Sequence, residues 1–495
     1  MIDYLALSPE IIIAATAVVV LLADLWLSRE RKFWAAIIAV AGTTFAAVPL
    51  VVMALSPVGD RVLFDGSYVV DPFALVMKGL FLIAGYVVVL MSFSYVESDG
   101  YYEGEYYFLL LLSILGSLVL ASGRDLISLF IGIELVATPM YVLSGFRKHD
   151  LKSNEAALKY YLLGVLASAL LLYGSSFVYG LTGALTYDRI AAAAGGLVHE
   201  PAFIMAVLFI LAGIGFKVSA VPFHFWAPDT YEGAPIPIAA YLSVSSKAAG
   251  FVALMAVVYR AFGPASAVWA PMIWVMAALS MTLANLSALK QNNIVRLLAY
   301  SSISHAGFML VPFVVAPYVG PEGLGNAVAA TVTYLVIYAF MNLGAFALVI
   351  AGSRKAGSGD VDGWAGMATY APGLAFLGAV LFFGLAGIPP LAGWFAKFVM
   401  FRVALTAGSG WAVSLAVIAA LNSVVAVYYY ARVVKAMWMD PVPATVPEIE
   451  IRERPTPMAL SLALGITAAV VLITGAVPGI VTFFSDATKV LVGGF

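Results

Sequence analysis

The chain is a series of long apolar stretches joined by short polar connections. Most stretches are long enough to cross a bilayer as an α-helix, which takes about 20 apolar residues. We therefore predict an all-α polytopic membrane protein with about fourteen transmembrane segments. Segments 1–7 cover 9–27, 33–55, 72–95, 106–122, 125–146, 154–181 and 202–221. Segments 8–14 cover 236–261, 270–289, 294–315, 326–351, 372–406, 411–436 and 458–484.

Two connections, 182–200 and 437–457, are longer than the others. The first is predicted to hold a short surface helix. The residues before position 11 include acidic side chains but no basic one, so we expect no removable signal peptide.

The composition narrows the class of function. Of the 495 residues, 63% are hydrophobic and only 11% are charged, which excludes a soluble globular protein. A formal net charge of −2 excludes nucleic acid as a partner. The chain has no Cys, which excludes disulfides, iron–sulfur clusters and thiolate metal sites, and its four His are scattered without haem or zinc spacing. We therefore expect no cofactor on this chain, and any redox chemistry in another protein.

Basic residues are divided unevenly between the two sets of connections. Connections after odd-numbered segments carry fourteen of them, Arg29, Arg31, Lys32, Arg147, Lys148, Lys152, Lys290, Arg296, Arg354, Lys355, Arg432, Lys435, Arg452 and Arg454. Connections after even-numbered segments, with the C-terminus, carry five, Arg61, Arg124, Arg189, Arg260 and Lys489. Because Lys and Arg concentrate on the cytoplasmic side, both termini are predicted to lie outside.

Charged residues also occur within the predicted segments, where they are costly and usually functional. Segment 5 contains one acid, Glu134. The basic residues inside segments are Lys78, Lys159, Lys217, Lys247, Lys397 and Arg402.

Two of these lysines lie beside predicted helix breaks. Pro222, five residues after Lys217, has no N–H for the carbonyl of Val218, so segment 7 must bend or end there. Segment 12 is too long for one straight span, and it is predicted to break at the Gly-Ile-Pro-Pro sequence of 387–390, shortly before Lys397.

The two broken helices occupy equivalent places in the order of segments. Each is the fourth member of a unit of five, segments 4–8 (106–261) and segments 9–13 (270–436). Because the two units start on opposite sides of the membrane, we predict inverted repeats. Residues 1–105 and 437–495 then form flanking helices.

Glu134, Lys217, Lys247 and Lys397 together suggest proton transfer. Burial disfavours the charged form of a lysine, and a nearby carboxylate favours it. A lysine that gains and loses such a partner can bind a proton in one state and release it in the other, which Arg cannot do.

Each of these residues also has a purely structural interpretation. Lys217 and Glu134 could form a static ion pair, and Lys247 and Lys397 could line a water cavity or a subunit interface. Lys159 could extend to the inner surface. His305 could make a helix–helix contact or relay protons between lysines, and His224 could anchor a loop or admit protons. Lys78 and Arg402 are interpreted as structural or subunit-facing.

Three stretches resemble a known family. They are GIGFKVSAVPFHFWAPDTYEGAP (213–235), NLSALKQNNIVRLLAYSSISHAGFML (285–310) and FGLAGIPPLAGWFAKF (383–398). All three are similar to the antiporter-like membrane subunits of respiratory complex I, and the DTYEGAP ending is closer to the N type than to the L and M types. The resemblance covers nearly the whole chain.

The resemblance implies proton-carrying roles for Glu134, Lys217, Lys247 and Lys397. It also implies an inverted pair of five-helix bundles in a bacterial plasma membrane. Neighbouring subunits would be of the M, K, J and A types, and NAD, FMN, iron–sulfur clusters and quinone would belong to partner subunits.

The expected function is proton translocation within an NADH:quinone oxidoreductase. Two alternatives remain at the level of sequence. One is a subunit of an Mrp-type cation/proton antiporter, and the other is a structural spacer between pumping neighbours.

Overall fold

The structure is a computed structural model that describes residues 3–28, 31–56, 59–99, 103–443 and 455–492. Arg29, Arg452 and Arg454, which contributed to the prediction of orientation, lie outside the described residues, as does 444–454 of the second long connection. The described residues are overwhelmingly helical, which confirms the predicted fold class.

Helices occur at all fourteen predicted positions. The first seven are Tyr4–Trp26, Trp34–Leu55, Pro72–Asp99, Glu103–Ser122, Leu126–Ser144, Leu151–Thr182 and Pro201–Lys217. The next four are Ile236–Ala261, Ser266–Ala288, Ile294–Leu310 and Pro321–Ala356. The last three segments are Pro372–Ala386 with Gly393–Thr406, Gly410–Met439, and Met458–Ala476 with Gly479–Ala487.

Within the described residues, 12 helices are long and apolar enough to cross a membrane. Two further apolar helices, Pro201–Lys217 and Pro372–Ala386, are shorter. Both belong to the segments in which the sequence predicts a break. The count of fourteen spans stays a prediction.

Polar residues at the ends of the apolar stretches define where helices start. Asp125 accepts from the backbone N–H groups of Ile127 and Ser128, both at 2.8 Å, and so caps segment 5. Asn293 caps segment 10 by accepting from the N–H of Arg296 at 3.1 Å. These caps set the register in which Glu134 and His305 face the interior.

Segment 5 continues through Pro139 as far as Ser144. Proline cannot donate to the preceding turn, which leaves carbonyl groups without their usual partner. The Ser113 hydroxyl of segment 4 donates to the Val136 carbonyl at 2.9 Å. The carbonyl that Pro139 leaves without a donor is that of Leu135, so this bond to the adjacent Val136 connects segment 4 to the backbone beside the proline and does not replace the missing N–H.

Segment 8 alternates between two helix types. An α-helix, Lys247–Met255, is preceded by a π-helical turn, Leu242–Ser246, and followed by another, Ala256–Ala261. Such turns are rare and are frequent at functional sites. The α-helix between them begins at Lys247.

The core of the bundle lies in segments 8, 10 and 11. In the apolar window of each, 100%, 94% and 94% of the residues are buried inside this chain. By contrast, only 39% of the apolar window is buried in segment 1 and in segment 6. Much of the surface of these two segments therefore faces lipid or other subunits. Lys247 and His305 are therefore on central helices.

Two elements lie in the connections. The predicted surface helix is present as Tyr187–Ala194. A two-stranded hairpin that was not predicted pairs Arg61–Leu63 with Tyr68–Val70, with Leu63 opposite Tyr68. Its strands are only three residues long, too short for an alternating pattern to be recognised.

Candidate functional site

Segment 7 ends at Lys217, as the position of Pro222 predicts. The polar backbone of the break is bonded to the surrounding protein. Trp226 Nε1 donates to the Phe216 carbonyl at 3.1 Å, and the N–H of Val221 donates to the Ser280 hydroxyl at 2.8 Å. A broken helix is tolerated at membrane depth where protein covers it in this way.

The Lys217 ammonium is buried, with 5% of the residue exposed. It lies 5.6 Å from the ring centroid of Tyr141 and 5.7 Å from that of Phe216. Among the described residues it has no hydrogen-bond partner, although the charge of Glu134 acts on it. Glu134 instead accepts from the Ser168 hydroxyl of segment 6. The structure thus holds the two opposite charges apart, each within a protein environment.

Segment 8 passes very close to Lys217 at Gly250. A Cβ added to Gly250 would lie 3.1 Å from the Cβ of Lys217 and 3.0 Å from Val218 Cγ1. This contact places the end of broken segment 7 against the α-helix that begins with Lys247.

Lys247 is buried and donates to Ser302 of segment 10. Its Nζ lies 2.6 Å from the Ser302 carbonyl and also contacts the hydroxyl. Ser302, His305 and Phe308 are three residues apart and share one face of segment 10. Lys397 Nζ lies 5.1 Å from the ring centroid of Phe308. One face of segment 10 therefore leads from Lys247, past His305, to Lys397.

His305 is bonded through both ring nitrogens. Nδ1 lies 2.9 Å from the Tyr334 hydroxyl, and Nε2 lies 3.2 Å from the Tyr430 hydroxyl. The Tyr430 hydroxyl also bonds Ser301. This arrangement gives the imidazole a hydroxyl neighbour on each side, which fits a proton relay and equally a hydrogen-bonded contact between segments 10, 11 and 13.

Lys397 lies at the break in segment 12. Its Nζ donates to the Ala386 carbonyl, the last residue of the first half-helix, at 2.7 Å. A cation is stabilised at such a helix C-terminus. Gly387 has φ +88°, and a Cβ there would lie 3.0 Å from Lys397 Cδ, so the turn requires glycine. A cavity of about 340 Å³ lies beside Lys397 and is also lined by Trp394, Phe398 and Ser423.

Buried hydroxyl groups fill the space between the lysines. In the described part of the chain, several have no bonded partner, namely those of Tyr141, Ser219, Tyr231, Ser304 and Tyr338. The Tyr231 hydroxyl lies near Ser219, beside Lys217, and near Ser302, which binds Lys247. Unpaired buried polar groups are where ordered water binds. The interior can thus hold a hydrated path.

The structure brings the buried Lys217, Lys247, His305 and Lys397 into one row, with the half-buried Glu134 near Lys217. It places Lys159 and His224 elsewhere. Lys159 has 42% of its side chain exposed and pairs with Glu155 at 2.6 Å and with Asp229 at 2.7 Å, at the edge of the bundle. This geometry fits the structural interpretation of Lys159 better than a buried proton site.

His224 is half-buried in the connection after the break and packs on Phe225, with ring centroids 4.4 Å apart. Burial lowers its pKa below the ordinary value of a histidine. At neutral pH the imidazole is therefore mostly uncharged. An uncharged imidazole suits a residue that anchors the loop, and it is equally able to accept an entering proton.

The sequence analysis did not single out the ion pairs that surround Lys159. Asp229 also binds Arg296 of segment 10 at 2.8 Å, and Glu232 binds Arg296 at 2.9 Å and Lys152 at 2.9 Å. These pairs connect segment 6, the helix after the break (Trp226–Gly233) and segment 10. The two acids are part of the DTYEGAP string, but their partners are more than 60 residues away in the sequence.

We expect this network to make stability depend on acidity. Burial raises the pKa of Asp229, but hydrogen bonds from Lys159 and Arg296 lower it more, so that its pKa lies below the usual value. The same balance, with Lys152 and Arg296 as donors, lowers the pKa of Glu232. The stabilisation is therefore fully present above the unfolded-state pKa values of about 4, and is lost as the pH falls through the folded values.

The measurement is thermal unfolding of the purified protein in detergent at several pH values. Asp229→Asn should cost about 1 kcal/mol at neutral pH, because it removes two charge-assisted bonds from a partly exposed site. The loss should shrink at low pH. Asp188→Asn is the control, since Asp188 is 73% exposed in its 3.1 Å pair with Arg260. Equal losses for both variants at all pH values would contradict the expectation.

Comparisons with known proteins agree on one family. The family model described as NADH:quinone oxidoreductase/Mrp antiporter, TM matches residues 123–423. NADH-quinone oxidoreductase subunit N of Trichlorobacter lovleyi is 37% identical over 490 residues, which is 98% of this chain and 96% of that one.

Solved structures show the same fold. A chain of respiratory complex I from Thermus thermophilus is 29% identical with a TM-score of 0.77, and the match covers 96% of this chain and 98% of that one. A chain of the Mrp complex from Dietzia sp. has a TM-score of 0.82 at 19% identity and covers 99% and 97% of the two chains, which shows similarity of fold alone.

Proposed function

The chain belongs to the NADH:quinone oxidoreductase/Mrp antiporter family, and we propose that it is the proton-translocating subunit N of an NADH:quinone oxidoreductase. The single observation that supports translocation best is the buried row from Lys217 through Lys247 and His305 to Lys397. Three ammonium groups deep in a membrane bundle are costly unless they are used.

The proposed mechanism is proton transfer driven by changes in charge pairing. When Glu134 approaches Lys217, the ammonium is favoured and Lys217 holds its proton. When Glu134 withdraws, the proton can pass through the hydroxyls of Ser219 and Tyr231 toward Lys247. His305 can then accept a proton at one ring nitrogen and release one at the other, toward Lys397. Water in the hydroxyl-lined interior completes the path.

Electron transfer is proposed to occur in other subunits. The described residues contain no group of three or more His, Asp or Glu side chains that could hold a metal ion, and the sequence has no Cys. In this proposal NAD, FMN, the iron–sulfur clusters and the quinone site belong to partners, and the neighbours in the membrane are of the M, K, J and A types. Exposed apolar residues on segments 2, 6 and 13 offer surface for such contacts.

The Mrp chain has the same fold as this chain, but its sequence is less similar than that of the relative named subunit N. The relative named subunit N is 37% identical over almost the whole chain, whereas the Mrp chain is 19% identical. The higher sequence identity to subunit N favours membership in the redox-linked complex over membership in an Mrp antiporter. The spacer alternative does not account for the buried lysines.

Purification from the native membrane tests the assignment. We expect mass spectrometry to find this chain together with redox subunits that contain flavin and iron–sulfur clusters. Co-purification with antiporter subunits alone, and no redox subunit, would assign the chain to the Mrp alternative.

We also propose that both termini lie on the outer side and that segments 4–8 and 9–13 are inverted repeats. Contacts between connections support the alternation of segments. Asn293 pairs with Asp360, and both are predicted inside. Asp125 pairs with Thr186, and both are predicted outside.

Cysteine labelling in intact cells tests the orientation, because the chain has no native Cys. His149 is exposed in the connection after segment 5, and Arg189 is exposed in the connection after segment 6. We expect a membrane-impermeant maleimide to label Arg189→Cys but not His149→Cys. The reverse pattern would refute the orientation.

A further inference from the structure

A second buried group of charges lies in the flanking helices, away from the row of lysines. Glu10 of segment 1 is 8% exposed and Lys78 of segment 3 is 0% exposed. Lys78 Nζ lies 2.8 Å from Glu10 Oε1. The Tyr68 hydroxyl, from the hairpin, donates to Glu10 Oε1 at 2.7 Å and accepts from Lys78 Nζ at 2.9 Å. The three groups form a closed triangle.

A second ion pair stands next to this triangle. Arg124, between segments 4 and 5, binds Asp71 at 2.9 Å, and both residues are buried. The charges of Asp71 and Arg124 act on Lys78. We refer to Glu10, Tyr68, Lys78, Asp71 and Arg124 as the outer cluster, because the loop charges place this end of the bundle outside.

The outer cluster leaves polar atoms unused. Glu10 Oε2, Arg124 Nε and the Ser122 hydroxyl are buried and have no partner among the described residues. The Ser122 hydroxyl lies near Tyr68. A static ion pair is stable in a membrane only when its remaining bonding capacity is satisfied. An open carboxylate oxygen in a cluster that also holds a free hydroxyl is instead a place for a proton and a bridging water.

Segment 4 connects the outer cluster with the core. Its serines Ser113 and Ser117 are fully buried near Tyr241 and Ser245 of segment 8, whose hydroxyls are unpaired among the described residues. Ser122 follows Ser117 by about 7.5 Å along the helix axis and about 140° around it, so the route between them needs more than one water.

The other end of the route reaches the surface. Asp60 is exposed in the hairpin connection, and the charges of Asp71 and Arg124 act on it. Burial, followed by the negative charge of Asp71, raises the pKa of the Asp60 carboxyl. A carboxyl of this kind can take up a proton close to the outer water.

We propose that Glu10, Tyr68 and Lys78 form a proton-release site on the outer side, reached from the core along the serines of segment 4. The inference rests on the proposed function of proton translocation. Tyr68 passes its hydroxyl proton to Glu10 and receives one from the Lys78 ammonium, which leaves a carboxylic acid and a neutral amine. Glu10 then loses its proton to outer water, and a proton arriving along segment 4 restores the ammonium.

The test uses the whole complex in native membranes, with NADH oxidation and proton translocation normalised to complex content. Glu10→Gln removes the acceptor. Loss of a positioned acid–base group slows the step it serves by roughly 100-fold or more, so coupled turnover should fall strongly. The matched control is Asp24→Asn, at the other end of segment 1, which also removes a carboxylate from an ion pair, with Lys32 at 2.9 Å. It should retain normal turnover.

A double variant distinguishes proton release from a purely structural role, in which the ion pair only holds segments 1 and 3 together. Glu10→Gln with Lys78→Gln leaves no stranded charge, so assembly should be preserved even if Glu10→Gln alone assembles poorly. Assembly with low turnover supports the release site. Assembly with normal turnover makes the outer cluster a clamp and overturns the proposal.

Infrared spectroscopy gives an independent readout. Between alkaline and acidic pH, the wild-type complex should gain a buried carboxylic acid band that Glu10→Gln lacks and Asp24→Asn keeps. An identical band in all three would refute protonation of Glu10. If Lys217→Ala also leaves proton pumping intact, the proposed function itself is refuted. If only the Glu10 variants keep normal turnover, the release site alone is refuted.

Discussion

Lys217→Ala is expected to abolish coupled turnover while the complex still assembles. The variant removes the proton carrier at the break in segment 7, and loss of such a group slows its step by roughly 100-fold or more. Glu134 keeps its hydrogen bond from Ser168 in this variant, which limits the cost in stability of removing the nearby positive charge. The measurement is quinone reductase activity and proton uptake in membranes with matched complex content.

Lys217→Arg separates proton transfer from charge pairing. A guanidinium keeps the positive charge but does not release a proton near neutral pH, so turnover should remain low. Under a static ion pair, the same variant should restore most of the activity. Glu134→Gln should also lower turnover, and adding it to Lys217→Ala should cause no further loss. Near-normal rates for Lys217→Arg would exclude proton transfer at this residue.

The second large effect is expected at Lys397. Lys397→Ala removes the last cation of the row together with the bond to the Ala386 carbonyl. We expect a loss of coupled turnover of roughly 100-fold, and a loss of stability of about 1 kcal/mol from the uncapped helix end.

Arg402→Ala is the matched control for Lys397. Arg402 lies on the same half-helix, carries the same charge, and is exposed. It should leave turnover nearly normal in the assembled complex. Equal effects of the two variants would mean that the half-helix needs positive charge in general and not a proton carrier at Lys397.

The positions of the helices and of the breaks could be predicted from the sequence because their causes are local. A run of apolar residues produces a helix in lipid whatever surrounds it, and Pro222 ends segment 7 through its own missing N–H. The lone lysines were equally visible, since a charge in an apolar run is costly wherever it packs.

The contacts of these residues could not be predicted in the same way. Arg296 meets Asp229 across 67 residues, and Tyr68 meets Glu10 across 58. Nothing local marks such pairs. Glu10 was visible only as an acid near the N-terminus, and Lys78 was interpreted as structural or subunit-facing. Their burial in one triangle depends on how the hairpin folds over segments 1 and 3.

Lys159 shows the limit of reasoning from an apolar run. Its position near the end of segment 6 could place it in the membrane or at the surface, and its ion pairs with Glu155 and Asp229 favour the surface. His305 was similarly ambiguous, because its two hydroxyl partners come from segments 11 and 13.

The π-helical turns of segment 8 determine which way Lys247 points. A π-turn contains one more residue than the α-helical turn that it replaces. Deleting a residue from Leu242–Ser246 would restore the α-helix and rotate everything that follows by about 100°. Lys247 would then turn away from Ser302. The extra residue of this turn is therefore what keeps the Lys247 ammonium on the side that meets segment 10.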